Sequence, residues 1–311
     1  PYYPLSPMPT KRKLLVIVAA LVGFIFVLGA ILIMEYFDET LKNTKNASEI
    51  LNLPALGMVP KILLKPGSVN LPFLQKRLTE ILIQNLKHIL TIDASNKGAK
   101  TVLFVSTSEK EGKTVMACNI AKELIKQGNN VLVLNYSSDY QRISQARFSH
   151  VISRLLGYPD PRIDVDNEFL ENASNYLAEG AYLSYENNEQ FYKATDYREI
   201  IEQNGLKLNF EPDYVFIELP SLLHKNYPGD LLPNADLSLL VCRSNRLWRD
   251  ADQSVLDSFT NLAQSKIGLI VNGVEINEIE TVLGDLPMKR TRFRSKVKDL
   301  FQLQFYSKNH I

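Results

Sequence analysis

The sequence predicts an α/β fold, in which a domain built on a parallel β-sheet is preceded by one transmembrane α-helix. Three observations support this prediction. A long apolar segment lies near the N-terminus, at Leu14 to Met34. From Thr101 onward, short apolar runs rich in β-branched residues alternate with helical patterns, as is typical of parallel sheets covered on both faces. A loop, Ser106 to Thr114, joins the first of these runs to a helix and carries glycine, lysine and threonine in succession.

The apolar segment, LLVIVAALVGFIFVLGAILIM, contains no charged residue. At a rise of roughly 1.5 Å per residue it covers the roughly 30 Å hydrocarbon core of a bilayer. It is longer than the apolar part of a cleaved signal peptide, and it leads directly into Glu35 instead of a small-residue cleavage site. The segment therefore predicts a membrane span at residues 14–34, and the alternative is a buried core helix.

The chain after the span divides into a connector and one domain. Residues 35–70 are predicted to be a juxtamembrane connector, because Pro54, Pro60 and Pro66 interrupt helical continuity. Within the connector, LPALGMVP indicates a short strand. Apolar residues then recur at helical spacing from Leu71 to Leu90, so a long amphipathic helix opens a domain of residues 71–311. The other predicted elements are strands at 101–106, 129–135, 214–219, 237–242 and 266–274 and helices at 113–127 and 250–264.

Composition excludes several classes of protein. The formal net charge of +1 gives no reason to expect a nucleic-acid partner. Cys118 and Cys242 stand alone, without a CxxC pair, so neither a disulfide framework nor a zinc site is expected.

The chemistry of the sequence is concentrated in the loop VSTSEKEGKT. In the phosphate-binding pattern GxxxxGK[ST], backbone N–H groups cradle phosphates, the lysine neutralises their charge and the hydroxyl reaches Mg²⁺. Gly112, Lys113 and Thr114 supply the second half of this pattern, whereas Thr107 stands at the first glycine position. Glu109 and Glu111 are expected to repel an anionic ligand. ATP and Mg²⁺ are therefore the expected ligands, with binding weak or lost.

We infer the orientation of the membrane span from the phosphate-binding loop after it, and not from the charges that flank the span. Lys11, Arg12 and Lys13 precede the span, and the positive-inside rule would put the N-terminus in the cytoplasm. A nucleotide-fold domain needs cytosolic ATP, so we expect the opposite orientation, with the C-terminal domain in the cytoplasm. The chain opens with Pro1, and we expect a missing upstream part to have set this topology.

These features together resemble the C-terminal half of bacterial tyrosine kinases of the polysaccharide co-polymerase family. The resemblance is carried by VSTSEKEGKT, Asn119-Ile120-Ala121, GNNVLVLN, PDYVFIELP, NADLSLLVCRSN and GLIVNGVE, with PYYPLSPMPTKRK before the span and LNLPALGMVPK after it. It implies a protein of the bacterial inner membrane, with residues 1–13 as a periplasmic, proline-rich approach to the membrane. It also implies a homo-oligomer that contacts the bilayer and the polysaccharide polymerase and export machinery.

The chain departs from that family at positions that carry catalysis. Asn135 and Ser137 stand where the family has an Asp-x-Asp pair, and an amide or a hydroxyl cannot supply a base. Glu218 replaces the Asp that holds Mg²⁺ through its water shell, which leaves Thr114 and Glu218 as candidate magnesium residues. The tyrosine-rich tail is reduced to Tyr306. These losses favour a pseudokinase without a confident catalytic residue.

The helix at 71–90 departs from the family as well. Arg77, Glu80 and Ile83 occupy the positions of a Glu-x-x-Arg-x-x-Arg pattern that the family uses for ring assembly. We expect this helix to lie at a subunit contact, with Ile83 supplying an apolar contact.

Three functions follow as alternatives. The favoured one is a membrane-anchored regulator of capsule or exopolysaccharide polymerisation, chain length and export, with a degenerate kinase-like domain. The second is an active, ATP-dependent protein-tyrosine autokinase that controls polysaccharide export. The third is a partitioning-type ATPase, which is the weakest because its signature lysine would fall at Ser108.

Overall fold

A computed structural model describes residues 12–36, 40–61, 71–92, 98–136, 182–206, 208, 210–263 and 265–283. Contacts between Cα atoms divide the chain into two units, Pro1–Thr40 and Leu41–Ile311. The predicted features at Ser137 and Tyr306 lie outside the described residues.

The first unit contains helix α1, Arg12–Tyr36. Its large apolar side chains are between 42% and 78% exposed, from Leu28 at the low end to Phe26 at the high end. A core helix of a water-soluble protein would bury such side chains, so the alternative of a buried core helix is wrong. Within the described residues, α1 is the one helix long and apolar enough to cross a membrane, which makes it a candidate membrane anchor.

The second unit is built on a seven-stranded parallel sheet with the order β1-β7-β6-β2-β5-β3-β4. The strands are β1 Ala55–Pro60, β2 Lys100–Val105, β3 Val131–Tyr136, β4 Tyr182–Tyr185, β5 Tyr214–Glu218, β6 Leu237–Arg243 and β7 Lys266–Val274. The helices are α2 Thr44–Leu51, α3 Leu71–Ile92, α4 Lys113–Lys126, α5 Tyr197–Gln203, α6 Asp250–Ala263 and α7 Ile276–Leu283. The predicted α/β fold is confirmed.

Both faces of the sheet are covered. Alternate residues of β2 show this, because Leu103 packs into one apolar core and Phe104 into the other. The core around Phe104 is completed by side chains of α3 and α4, including Leu86 and Ile120. The opposite core draws on the remaining helices, with Leu51 of α2, Ile200 of α5, Phe259 of α6 and Ile279 of α7. Strands buried on both faces explain why the predicted strands read as continuous apolar runs.

The structure corrects the predicted boundary between connector and domain. The short strand expected in LPALGMVP is present as β1, but it belongs to the sheet, where Ala55 pairs with Leu269 and Pro60 pairs with Val274. The compact unit therefore begins at Leu41 and not at residue 71.

The other predicted elements are confirmed to within two residues at each end. Sequence patterns missed α2, α5, α7 and β4, of which β4 lies in the asparagine-rich stretch that begins at Tyr182. That strand pairs with β3, where Leu183 lies opposite Leu134. Its Tyr185 is buried.

The expected role of α3 in assembly needs a correction at Ile83. This side chain is 2% exposed and belongs to the core shared with α4, so it cannot supply an apolar contact to another subunit. Arg77 and Glu80 instead lie on the outer face of α3 and form an ion pair with each other, with 3.2 Å between Nη1 and Oε2.

Candidate nucleotide-binding site

The loop of residues 106–112 leaves the carboxyl end of β2 and leads into α4. Strand β2 lies between β6 and β5 near the middle of the sheet, and ligands of open α/β sheets bind at this edge. The segment that follows β5 fixes the loop from one side. The main-chain N–H of Leu222 donates to the oxygen of Ser106, and that of Leu223 donates to the oxygen of Thr107, both at 3.0 Å.

Helix α4 begins at Lys113, directly after Gly112 in the left-handed region with a φ of 100°. No side chain caps this helix at its first residue. The N-terminus of a helix carries partial positive charge and N–H groups that are not bonded within the helix, so this position attracts anions.

The structure brings three of the predicted site residues together. Lys113 Nζ donates to Ser106 Oγ at 2.8 Å, so the lysine folds back along the loop. Ser106 Oγ in turn donates to the main-chain oxygen of Ser108 at 2.5 Å. Thr114 Oγ1 donates to Glu218 Oε1 at 2.9 Å, which joins the first turn of α4 to the end of β5.

Burial dominates the electrostatics of these groups. It raises the pKa of Glu218 to about 7, although nearby Lys113 and the hydrogen bond from Thr114 oppose the shift. Burial also lowers the pKa of Lys113, while the carboxylates of Glu218, Glu111 and Glu109 act in the opposite direction. Glu218 is consequently divided between its neutral and ionised forms near neutral pH.

Two buried polar atoms of the site have no hydrogen-bond partner, Thr107 Oγ1 and Glu218 Oε2. Buried polar atoms are normally satisfied, so these two are open to a polar ligand or to water. Together with Lys113, these two atoms provide some of the partners that a bound phosphate and its magnesium ion need. In the part of the chain that the structure describes, no group of three or more His, Cys, Asp or Glu side chains could hold a metal. Thr114 and Glu218 would therefore share Mg²⁺ with oxygens of the nucleotide and water.

Asn135 lies near the carboxyl end of β3 and is buried. It comes directly after Leu134, which pairs with Ile217, the residue before Glu218. Asn135 thus lies at the level of Glu218 along the neighbouring strand.

Sequence reasoning missed the surroundings of Glu111. Glu111 Oε2 accepts a hydrogen bond from the main-chain N–H of Arg243 at 2.6 Å, and Oε1 accepts one from Arg246 Nη1 at 2.8 Å. Arg246 also forms an ion pair with Asp252. The charge of Glu111 is therefore compensated within the protein. This corrects the expectation that Glu111 repels an anionic ligand. Arg246 lies 135 residues beyond Glu111, so no local pattern could have linked them.

The end of β5 has a second neighbour that the sequence did not predict. The hydroxyl of Tyr185, on β4, donates to the main-chain oxygen of Glu218 at 2.6 Å. This contact ties the sheet edge formed by β4 to the candidate magnesium residue.

The sheet, the loop after β2 and Lys113 at the start of α4 define an α/β domain of the P-loop type. No protein-family model and no curated protein matches the chain.

Several solved structures are similar to the chain. The kinase domain of Escherichia coli tyrosine kinase ETK is 16% identical over 81% of this chain and 99% of its own, with a TM-score of 0.49. The BceF tyrosine kinase domain is 17% identical over 76% of this chain and 99% of that domain, with a TM-score of 0.48. The chimerical protein CapA2B2 is 12% identical over 75% of this chain and 100% of that protein, with a TM-score of 0.42. Similarity at this level concerns the course of the chain and says nothing about activity.

Proposed function

We propose that this protein is a membrane-anchored regulator of capsule or exopolysaccharide polymerisation, chain length and export, with a kinase-like domain that binds nucleotide weakly and does not transfer phosphate. The observation that carries the proposal is the hydrogen bond from Thr114 to Glu218, whose pKa is raised to about 7. Thr114 and Glu218, the two side chains that would hold magnesium, are hydrogen-bonded to each other. One of them is also partly protonated at neutral pH.

The cost of binding follows from these contacts. A magnesium ion demands near-ideal octahedral geometry and is usually held in proteins by one or two carboxylates, and a protonated Glu218 does not provide a carboxylate. A phosphate would also have to draw Lys113 away from Ser106. Asn135 has an amide where a base would be needed, so it cannot accept the proton of an attacking hydroxyl.

The membrane part of the proposal rests on α1, and the polysaccharide part rests on the sequence resemblance. A candidate membrane anchor joined to a P-loop domain without an acidic pair suits a positional role. In that role the domain holds the cytoplasmic end of a homo-oligomer at the bacterial inner membrane, next to the polymerase and export machinery.

Calorimetry on the full chain in detergent tests the nucleotide part. We expect a Kd for Mg·ATP of about 0.1 mM or weaker. Lys113→Ala should abolish the remaining binding, whereas Lys110→Ala, an exposed lysine of the same loop, is the matched control. Tight, magnesium-dependent binding that Lys113→Ala removes would contradict the proposal.

Mass spectrometry tests the phosphoryl-transfer part. The purified chain incubated with Mg·ATP should gain little phosphotyrosine. Robust incorporation that disappears in Lys113→Met would establish the second candidate, an active autokinase. The convergence of Lys113, Thr114 and Glu218 is the observation that favours this candidate.

Polysaccharide length tests the positional part. In a strain that depends on this protein, Lys113→Ala should change polymer length and export little. Reversing the outer charges of α3 with Arg77→Glu and Glu80→Arg should weaken assembly and shift the length distribution. If Lys113→Ala alone abolishes export while the charge reversal is silent, nucleotide chemistry is the function.

A further inference from the structure

Arg246 joins three segments that are distant along the chain: the start of the second unit at Leu41, the phosphate loop at Glu111, and its own segment of residues 246–252. It lies in the turn between β6 and α6. Its guanidinium bonds to Glu111 of the phosphate loop at 2.8 Å and to Asp252 in the first turn of α6. The same guanidinium lies over the ring of Trp248, with its central carbon 5.6 Å from the ring centroid. Its main-chain oxygen accepts a hydrogen bond from the N–H of Leu41 at 3.2 Å.

The charges in this cluster are shielded from solvent. The side chains of Glu111, Arg246 and Asp252 are 4%, 15% and 2% exposed, respectively. A shielded charge that loses its partner is costly, so Arg246 and Glu111 are constrained to move together. A shift of the loop that carries Glu111 must therefore displace Arg246 or break the pair.

Leu41 is the residue at which the second unit begins. Its side chain is fully buried, and its N–H is held by Arg246. It directly follows Thr40, the last residue of the unit that contains α1. The start of the globular unit and the phosphate loop thus share one contact residue.

We propose that Arg246 is a positioning residue that couples the conformation of the phosphate loop, through Glu111, to the chain at Leu41. Occupation of the loop by a phosphate-bearing ligand is then transmitted to Leu41, the first residue of the second unit. Because coupling between two sites is reciprocal, a change imposed at Leu41 alters the loop by the same free energy. The proposal rests on the proposed function only for the nature of the ligand.

Hydrogen exchange on the full chain in detergent tests the coupling without any ligand. Arg246→Gln and Glu111→Gln should each speed exchange of the Leu41 N–H by about tenfold, and the double variant should add little to either. Lys100→Gln is the matched control, because it removes a comparably shielded ion pair with Asp236, with side chains 18% and 17% exposed, elsewhere in the sheet. It should leave exchange at Leu41 unchanged.

The chain has a single tryptophan, Trp248, which provides a second readout. Glu111→Gln should shift its emission, although Glu111 is not the residue that lies over the ring. A purely structural ion pair predicts otherwise: Arg246→Gln would affect Leu41 and Trp248, and Glu111→Gln would affect neither. That result would overturn the proposal. If Glu111→Gln also speeds exchange throughout β6, the milder Glu111→Asp is measured instead and must affect Leu41 while β6 stays protected.

A ligand series separates this inference from the proposed function. Millimolar Mg·ATP, or tripolyphosphate as a base-free probe, should change exchange at Leu41 in the wild type and not in Glu111→Gln. Calorimetric binding that leaves Leu41 and Trp248 unchanged would contradict the coupling. A complete lack of binding by calorimetry would concern the nucleotide site alone, and the variant series would still decide the coupling.

Discussion

The side-chain amide of Asn272, near the end of β7, donates a hydrogen bond to the main-chain oxygen of Glu111 at 2.9 Å. The contact places the amide directly against Gly112, where an added Cβ would collide with Asn272 Nδ2. Gly112 also has a φ of 100°, a conformation that residues with a side chain rarely adopt. Close approach and backbone conformation therefore both require glycine before α4.

Gly112→Ala should lower the free energy of unfolding by about 2 kcal/mol or more, because strain and collision add. Lys110 lies two residues earlier with a φ of 62° and an exposed side chain. Lys110→Gly should therefore raise the free energy of unfolding by about 1 kcal/mol. Urea unfolding in detergent, followed by the fluorescence of Trp248, measures both. Equal effects of the same sign would contradict this account of the loop.

Arg246→Ala should be among the most damaging substitutions outside the apolar core. It leaves the shielded carboxylates of Glu111 and Asp252 without their cation, which costs about 3–5 kcal/mol. Lys61→Ala is the control, because Lys61 and Glu275 form an ion pair with side chains 53% and 61% exposed, and such pairs contribute about 0–1 kcal/mol. Thermal unfolding of the two variants compares them. A loss in Arg246→Ala no larger than that in Lys61→Ala would show that the cluster is solvated.

Glu218 should make stability depend on pH. Its pKa is about 7 in the folded protein against an ordinary value of 4.5, so the folded state holds a proton that the unfolded state has released between these values. The contribution of Glu218 to stability is therefore most favourable below pH 4.5 and falls as pH rises to about 7. Above pH 7 the ionised, buried carboxyl costs roughly 3 kcal/mol.

Glu218→Gln keeps the size of the side chain and an oxygen that can accept from Thr114, but it cannot ionise. The free energy of unfolding of the wild type minus that of Glu218→Gln should fall between pH 5 and pH 8. Urea unfolding at a series of pH values measures this difference. Parallel curves for the two proteins would mean that Glu218 keeps an ordinary pKa in the folded state.

The buried position of Ile83 makes a further prediction about α3. Ile83→Arg should destabilise the chain by several kcal/mol, because it places a charge in the core between α3 and the sheet. Arg77→Glu combined with Glu80→Arg should change stability by less than about 1 kcal/mol, since that ion pair is exposed. Unfolding measurements compare them. Assembly tests on α3 should therefore use the charge reversal, and a well-folded Ile83→Arg would contradict the packing.

Much of the fold follows from local sequence patterns. The run TVLFVS predicts a strand buried on both faces, and Leu103 and Phe104 do lie in opposite cores. The loop after it could also be predicted, since Gly112, Lys113 and Thr114 act within a few residues of each other. Glu218 could be placed at the carboxyl end of a parallel strand, where the edge of the sheet brings it near Thr114.

Other features depend on residues that are far apart. Nothing in LPALGMVP shows that this segment pairs with β7, more than two hundred residues later, so a strand of the sheet looked like part of a connector. Tyr185 lies in a polar, asparagine-rich stretch, and only the pairing of this stretch with β3 reveals a strand. The family resemblance also assigned Ile83 to a subunit contact, whereas packing against residues of α4 and the sheet buries this side chain.

By itself, the sequence determined a candidate membrane helix, an alternating α/β domain and a phosphate loop with lost acidic partners, because apolar periodicity and short motifs are local properties of the chain. Only the tertiary structure decided how the charges of the site are used. It paired Glu111 with Arg246, Thr114 with Glu218 and Leu41 with the main chain of Arg246. The physical reason is that burial and electrostatic pairing depend on distances in space, which the order of residues along the chain does not contain.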